Sequence, residues 1–212
     1  MKVNEIFYSI EGEGIRAGVP CVFIRLFGCN IRCKYCDSLY ACEGDDYKEM
    51  SIDDILKKVV EYDCPNVTVT GGEPLIHKGI KDLLNELDKR CFKVNVETNG
   101  TITPIWEYEN VFYTMDYKTG ASGMTGTMYV PAFNALKPTD VIKFVVGSKE
   151  DLVQSVKFYQ SQDIKAIPFV SPVFGQIEPC EIAEFLKENH LNKWRLQLQI
   201  HKFIWDPQKR GV

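Results

Sequence analysis

Three cysteines crowd into eight residues of the chain: Cys29, Cys33 and Cys36, in the run Phe27-Gly28-Cys29-Asn30-Ile31-Arg32-Cys33-Lys34-Tyr35-Cys36-Asp37-Ser38. The spacing Cys-x3-Cys-x2-Cys lets one short loop turn three soft thiolate donors toward a single point, which suits zinc or an iron-sulfur cluster. A structural zinc site is closed by four ligands, and only Cys42 or a distant residue is available as the fourth. A 4Fe-4S cluster held by three cysteines leaves one iron open, and an open iron can bind and reduce a substrate. Unliganded core cysteines are the bland alternative, against which the clustering argues. Cys21, Cys64, Cys91 and Cys180 stand singly in or beside apolar runs and read as small buried hydrophobes; Cys42 is undecided.

Further chemistry-bearing residues follow other apolar runs. After Asn66–Thr70 comes Gly71-Gly72-Glu73-Pro74, where the glycines allow close backbone approach and Glu73 offers an acceptor suited to an ammonium group. Its bland reading is a tight turn. Glu97-Thr98-Asn99-Gly100-Thr101 is a polar cluster at another strand end; Glu97 is able to accept from ribose or ammonium donors, although Asn99-Gly100 alone is an ordinary turn. Met115-Asp116-Tyr117-Lys118 closes a further run with an acid and a base, and Lys143 opens another; cofactor contacts and an exposed ion pair both fit Asp116 and Lys118. Gly12-Glu13-Gly14-Ile15-Arg16-Ala17 has the letters of a dinucleotide-binding turn, but Gly18-Val19-Pro20 interrupts where a helix must start, so that reading is rejected.

These residues need a frame. Apolar, β-branched runs recur at Cys21–Phe27, Asn66–Thr70, Lys93–Glu97, Val111–Met115, Val141–Val146, Ala166–Val170 and Arg195–Ile200 and read as buried strands. Helical spacing separates several of them. Ser51 can cap a helix carrying Ile52, Ile55, Leu56, Val59 and Val60 on one face, and Ile80, Leu83, Leu84 and Leu87 repeat the period. Leu152, Val153 and Val156, then Ile182, Phe185 and Leu186, repeat it again, while Thr119–Lys137 reads as loop. Alternation of strand and helix predicts an α/β fold with a largely parallel sheet. A closed eight-stranded barrel usually takes roughly 250 residues, so the 212 here predict a partial, incomplete TIM-like βα barrel. Ligands of such folds gather at the carboxyl ends of the strands, where the motifs above fall.

Composition bounds the rest. Length predicts a single domain spanning residues 1–212, and 45% apolar with 25% charged residues is a globular balance. A net charge of −4 gives no electrostatic reason to bind nucleic acid or an anionic membrane, which makes a small molecule the default ligand. Neither a secretory leader nor a run of about 18 apolar residues is read, and a cytoplasmic location is expected.

The cysteine triplet, with Tyr35 before its last member, resembles the signature of the radical S-adenosylmethionine enzymes. That resemblance implies a 4Fe-4S cluster on Cys29, Cys33 and Cys36 whose open iron chelates S-adenosylmethionine, and a 5′-deoxyadenosyl radical that takes hydrogen from substrate. Gly71-Gly72-Glu73-Pro74 resembles the motif that holds the methionine amino group in those enzymes. Ser9-Ile10-Glu11-Gly12-Glu13-Gly14, Phe23-Ile24-Arg25-Leu26, Cys36-Asp37-Ser38, Glu97–Thr101, His201-Lys202 and Lys209–Val212 extend the likeness over nearly the whole chain. Together they resemble the 7-carboxy-7-deazaguanine synthases, which convert 6-carboxy-5,6,7,8-tetrahydropterin to 7-carboxy-7-deazaguanine with loss of ammonia, on the route to queuosine and other deazapurines.

Carried over, the likeness implies that Tyr35, Gly72, Glu73, Glu97, Asp116, Tyr117, Lys118 and Lys143 bind S-adenosylmethionine. Ile10, Glu11, Gly12, Glu13, Arg25, Thr70, His201 and Val212 would face the substrate, the last through its carboxylate, and Ser38 would ligate a Mg2+. Acids suit the donor edge of a pterin and a guanidinium grips a carboxylate as a fork. Catalysis would come from the cofactor-derived radical, making the enzyme a lyase with no further catalytic side chain; the likeness also implies a homodimer and a flavodoxin or ferredoxin as electron donor. Two alternatives remain: an activating enzyme that installs a glycyl radical on a protein partner, and a zinc-dependent interaction module.

Overall fold

The computed structural model describes residues 1–104 and 107–212, and its frame is one nine-stranded sheet. The strands are β1 (Lys2–Ile10), β2 (Pro20–Leu26), β3 (Lys48–Glu49), β4 (Asn66–Gly71), β5 (Lys93–Thr98), β6 (Val111–Lys118), β7 (Val141–Val146), β8 (Ile167–Pro172) and β9 (Arg195–Leu196). Their spatial order is β3-β1-β2-β4-β5-β6-β7-β8-β9. From β2 onward every neighbouring pair is parallel, while β1 and β3 add antiparallel strands at one edge. Helices α1 (Ile52–Val60), α2 (Ile80–Lys89), α3 (Val130–Asn134), α4 (Lys149–Ser161), α5 (Pro179–Glu188) and α6 (His201–Ile204) fill the connections. This is the α/β partial barrel that the sequence predicts.

Strand parity sorts the side chains. Val22, Ile24 and Leu26 of β2, Val67 and Val69 of β4, Val94 and Val96 of β5, and Ile142, Phe144 and Val146 of β7 all belong to the apolar core, with Ile55, Leu56, Leu83, Leu84 and Leu87 of the covering helices. Among positions of opposite parity, Arg25, Thr70, Glu97, Asp116 and Lys143 are polar and line one cavity, with Phe23 and Val145 beside them. Below them Thr68, Asn95 and Thr114 form a buried polar layer in which Thr114 Oγ1 donates to Asn95 Oδ1 at 3.0 Å. The helix ends form as the sequence leads one to expect: Ser51 Oγ accepts from Asp54 N at 3.1 Å and caps α1.

The two sheet edges do not pair with each other, but the loop after β1 reaches the segment after β9. Gly14 N donates to Gln197 Oε1 at 2.7 Å, and Ile200 N donates to Gly12 O at 3.1 Å. That contact explains one correction. The run Arg195–Ile200 pairs as a strand only at Arg195–Leu196, because the chain then turns so that Gln197 and Gln199 meet the β1 loop.

Other expectations also shift. β1 is not among the expected strands, because Lys2–Ile10 neither alternates strictly nor forms one apolar run, and Thr119–Lys137 holds α3 and two 3-10 turns rather than loop alone. Val60 and Val153 are exposed: each sits one position past the buried stripe of its helix. Cys21 and Cys64 are buried as expected, but Cys91 and Cys180 are exposed, since one follows the end of α2 at φ +59° and the other begins α5.

Phe144 is fully buried, with ring centroids of Trp194 at 5.0 Å and Tyr117 at 5.4 Å. Truncation there leaves a cavity between β7 and α4. Phe144→Ala is expected to cost about 3–5 kcal/mol, read as a lowered midpoint in denaturant unfolding of the apoprotein.

Candidate functional site

The cluster loop leaves β2 at Gly28, whose φ of +110° only glycine adopts readily. Gly28 N donates to Ala41 O at 2.7 Å, closing the loop, and a 3-10 turn at Leu39–Ala41 returns the chain. Lys34 N donates to Ser122 O at 3.0 Å, tying the loop to the exit of β6. Within it Cys29, Cys33 and Cys36 are half-buried, reduced and open to the cavity. A fourth sulfur is close by: Cys42 Sγ lies 3.9 Å from Cys36 Sγ and 3.5 Å from Ser38 O. Hydrogen bonding to Cys42 pulls the thiols of Cys29 and Cys36 down to about 6 against burial, whereas burial raises Cys33. Asn99 Nδ2 approaches Cys29 Sγ at 3.8 Å.

A soft metal cluster fits this donor set. Two thiols are already acidified toward the thiolate that ligates metal, and the Tyr35 hydroxyl beside them is buried with no partner. Among the described residues no three His, Cys, Asp or Glu side chains are gathered as they are around a single metal ion.

The loop after β4 presses on the cluster loop. Gly71 has φ +139°, and a Cβ there would lie 2.0 Å from Leu26 O; one on Gly72 would lie 2.2 Å from Gly28 O and 2.8 Å from Cys29 Cβ. Glu73 behaves differently from the expectation that it meets a ligand. It is fully buried, absent from the cavity wall, and both its oxygens are engaged. Oε1 accepts from Leu75 N at 2.9 Å and Thr98 Oγ1 at 2.8 Å, and Oε2 accepts from Asn99 N at 2.6 Å. Its side chain therefore clamps the β4 loop to the β5 loop.

The Tyr117 ring does not line the cavity. Asp116 and Lys118 face the cavity, so strand parity sends Tyr117 outward against Phe133 at 5.5 Å and Phe158 at 4.1 Å. The other residues expected at the site, from Ile10 to Val212, do line a single cavity of about 790 Å³.

A charged belt crosses that cavity. Lys118 Nζ donates to Asp116 Oδ2 at 2.7 Å; Lys143 Nζ lies 3.1 Å from Asp116 Oδ1 and 2.6 Å from Glu13 Oε2. Gln199 Nε2 donates to Glu13 Oε1 at 2.5 Å, and Lys202 Nζ pairs with Asp37 Oδ2 at 3.2 Å. Burial alone would neutralise these groups. For Asp116 it is outweighed by Lys118 and Lys143, which hold the carboxyl below the usual range; for Lys143 it is outweighed by Asp116, Glu13 and Glu97, which keep the ammonium charged.

Nearby, Thr70 Oγ1 donates to Glu97 Oε2 at 2.6 Å and Arg25 Nε donates to Glu5 Oε1 at 2.8 Å. His201 packs its ring against Gly12, where a Cβ would lie 2.0 Å from Nδ1, and Ser38 Oγ faces the cavity 3.9 Å from Cys36 Sγ. Sequence reasoning missed Asp37, Tyr40, Gln199, Lys202 and Arg210, which share the wall. Their polarity beside the motifs was visible, but their meeting depends on chain closure.

The chain is similar to known proteins in both sequence and fold. Residues 23–119 match the Radical SAM superfamily. Along 100% of its length the chain is 44% identical to a 7-carboxy-7-deazaguanine synthase of Clostridium acetobutylicum, covering 99% of that protein. It is 39% identical to a 7-carboxy-7-deazaguanine synthase of Chlorobaculum tepidum, over 100% of this chain and 97% of the relative. The fold resembles the crystal structure of QueE from Escherichia coli, with TM-score 0.76 and 24% identity over 93% of this chain and 92% of that one.

Glu11 carries a pH signature. Burial, with Glu97 nearby, pushes its carboxyl up to about 7, against hydrogen bonding from Thr68 and the charge of Arg16, while Glu13 adds to the rise. The folded chain then holds a proton that the unfolded chain releases, so this group stabilises most at low pH and that contribution is lost as pH rises through about 7. Glu11→Gln removes the loss, worth about 3 kcal/mol. The thermal midpoint of the Glu11→Gln apoprotein, relative to the unaltered chain, is expected to climb between about pH 5 and pH 8.

Proposed function

The chain belongs to the 7-carboxy-7-deazaguanine synthase family of radical S-adenosylmethionine enzymes, and on that premise we propose which of its residues carry the reaction. The activity is that of a radical S-adenosylmethionine 7-carboxy-7-deazaguanine synthase, with a 4Fe-4S cluster and S-adenosylmethionine as cofactors. The full-length relatives do not favour the glycyl-radical activating alternative. The single observation behind the assignment of residues is convergence: three cluster-type thiols and the Arg25, Glu11 and Glu13 side chains share one cavity.

In this reading the substrate is 6-carboxy-5,6,7,8-tetrahydropterin and the products are 7-carboxy-7-deazaguanine and ammonia, which balance the atoms without a net oxidant and make the enzyme a lyase. When bound, the reduced cluster and S-adenosylmethionine supply a carbon radical that takes hydrogen from the substrate. Cys29, Cys33 and Cys36 would hold the cluster, and Cys42 Sγ lies 3.9 Å from Cys36 Sγ. Gly72, Glu97, Asp116, Lys118, Lys143 and Tyr35 would bind S-adenosylmethionine; Glu73 serves by holding two loops together.

Arg25 has its Nε committed to Glu5, which leaves the two terminal NH2 groups to grip the substrate carboxylate. Glu11 and Glu13 accept from the pterin's N–H edge, with Thr70, Ile10, Gly12, His201 and Val212 completing the wall. Ser38 Oγ, 3.9 Å from Cys36 Sγ and open to the cavity, suits a hard cation whose other ligands come from substrate and water, and Mg2+ there would neutralise the carboxylate. A flavodoxin or ferredoxin as electron donor, a homodimeric assembly and a role in supplying deazapurines such as queuosine complete the proposal. Among the described residues no helix is long and apolar enough to cross a membrane.

The reading is tested by anaerobic incubation with reductant, S-adenosylmethionine and the carboxylated tetrahydropterin. Deazapurine formation is expected; a reconstituted cluster without turnover would overturn the substrate assignment. Alanine at Cys29, Cys33 or Cys36 should abolish the brown colour and bound iron, and a full cluster in any of the three variants would remove that cysteine from the ligand set. Ser38→Ala should weaken the response of the rate to added Mg2+, and an unchanged Mg2+ titration would end the metal assignment.

A further inference from the structure

The segment after α6 runs back over the cavity and ends against Tyr40. The Arg210 guanidinium lies on the Tyr40 ring, with Cζ 3.4 Å from its centroid. Arg25 Cζ lies 5.8 Å from the same centroid. The Tyr40 hydroxyl donates to Glu5 Oε1 at 3.1 Å, the oxygen that also accepts from Arg25 Nε at 2.8 Å. Tyr40, Arg25 and Arg210 all line the cavity.

Two features make the ring a seat. It sits in the 3-10 turn Leu39–Ala41, which is fixed by the cluster loop through Gly28 N to Ala41 O at 2.7 Å and so owes nothing to the arm. The other partner of Arg210, Asp46, is 3.5 Å away with both side chains about half exposed or more, a geometry that contributes little. A guanidinium flat on an aromatic face is the stronger contact and survives salt better.

We propose that Tyr40 is a positioning residue: its ring seats the C-terminal arm through Arg210 and keeps Arg25 aimed at the substrate carboxylate, so that arm seating and carboxylate binding strengthen each other. The coupling rests on the reading above, in which Arg25 grips that carboxylate; the seat itself does not. Linkage requires the effect to be reciprocal: substrate tightens the arm by the factor by which the seated arm tightens substrate.

Trypsin reads the arm directly, because it cleaves after Lys209 and Arg210, and intact mass reports the loss on the anaerobic holoenzyme. Without substrate, Tyr40→Leu is expected to speed that cleavage about fivefold, and Tyr40→Phe, which keeps the ring, to leave it unchanged. The carboxylated tetrahydropterin should protect the unaltered chain and Tyr40→Phe but not Tyr40→Leu, whose KM should rise more than its kcat falls. Arg210→Met, a change at an exposed position, should speed cleavage after Lys209 in the same way. Equal cleavage of Tyr40→Leu, Arg210→Met and the unaltered chain would overturn the seat, as would Tyr40→Phe behaving like Tyr40→Leu. If Tyr40→Leu speeds cleavage but substrate protects no chain, the coupling and the assignment of Arg25 fall together.

Discussion

Gly28 and Gly72 meet backbone to backbone, and the cavity exists because nothing larger than hydrogen stands between them. Glu73 N donates to Gly28 O at 2.8 Å and Gly72 N donates to Leu26 O at 3.1 Å, so the loops after β2 and β4 are joined by main-chain bonds where their side chains have no room. The buried Glu73 carboxylate extends the join to a third loop by accepting from Leu75, Thr98 and Asn99. Asn99 then reaches Asn30 at 2.9 Å and Cys29 at 3.8 Å. An acid buried so completely is tolerated because three donors satisfy it; Asn99 N is the one given to Oε2, and losing that bond would leave an unpaired oxygen at a cost of about 1–3 kcal/mol.

With three loops locked at one rim, the strands beneath can carry charge. β4 to β7 turn valines, isoleucines and phenylalanines toward the helices and Thr70, Glu97, Asp116 and Lys143 toward the cavity. Lys143 shared between Asp116 and Glu13 is a costly arrangement taken alone, since desolvation opposes each charge; it persists because every charge has a partner at 2.6 to 3.1 Å. The result is a fixed electrostatic lining. Charged ligands entering it exchange water for dipoles and charges already in place, which keeps reorganisation small during reaction.

The same belt joins chain regions distant in sequence. Gln199 and Lys202, beyond β9, touch Glu13 in the β1 loop and Asp37 in the cluster loop. Closing a partial barrel in this way substitutes side-chain and loop contacts for the missing strands, and it places the C-terminal segment where it can cover the mouth.

Much of this was legible before any coordinates. The cysteine spacing and the paired glycines are local facts, because a short loop fixes the relative reach of residues three or four apart, and the alternation of apolar runs with helical periods was enough to define the parallel sheet. Strand parity within Asp116-Tyr117-Lys118 also carries the outward turn of the Tyr117 ring. What only tertiary structure decided is where separate loops touch. In the sequence Glu73 is an acceptor in a motif resembling one that holds an ammonium group; in the fold its carboxylate turns inward because donors arrive from β5, some 25 residues later. Tyr40, Gln199 and Arg210 gain their roles from contacts across the open side of the barrel, and Cys42 from a loop that folds back on itself. Those meetings depend on the curl of the sheet and on chain closure, which are properties of the whole packed chain and leave no periodic mark in any one stretch of it.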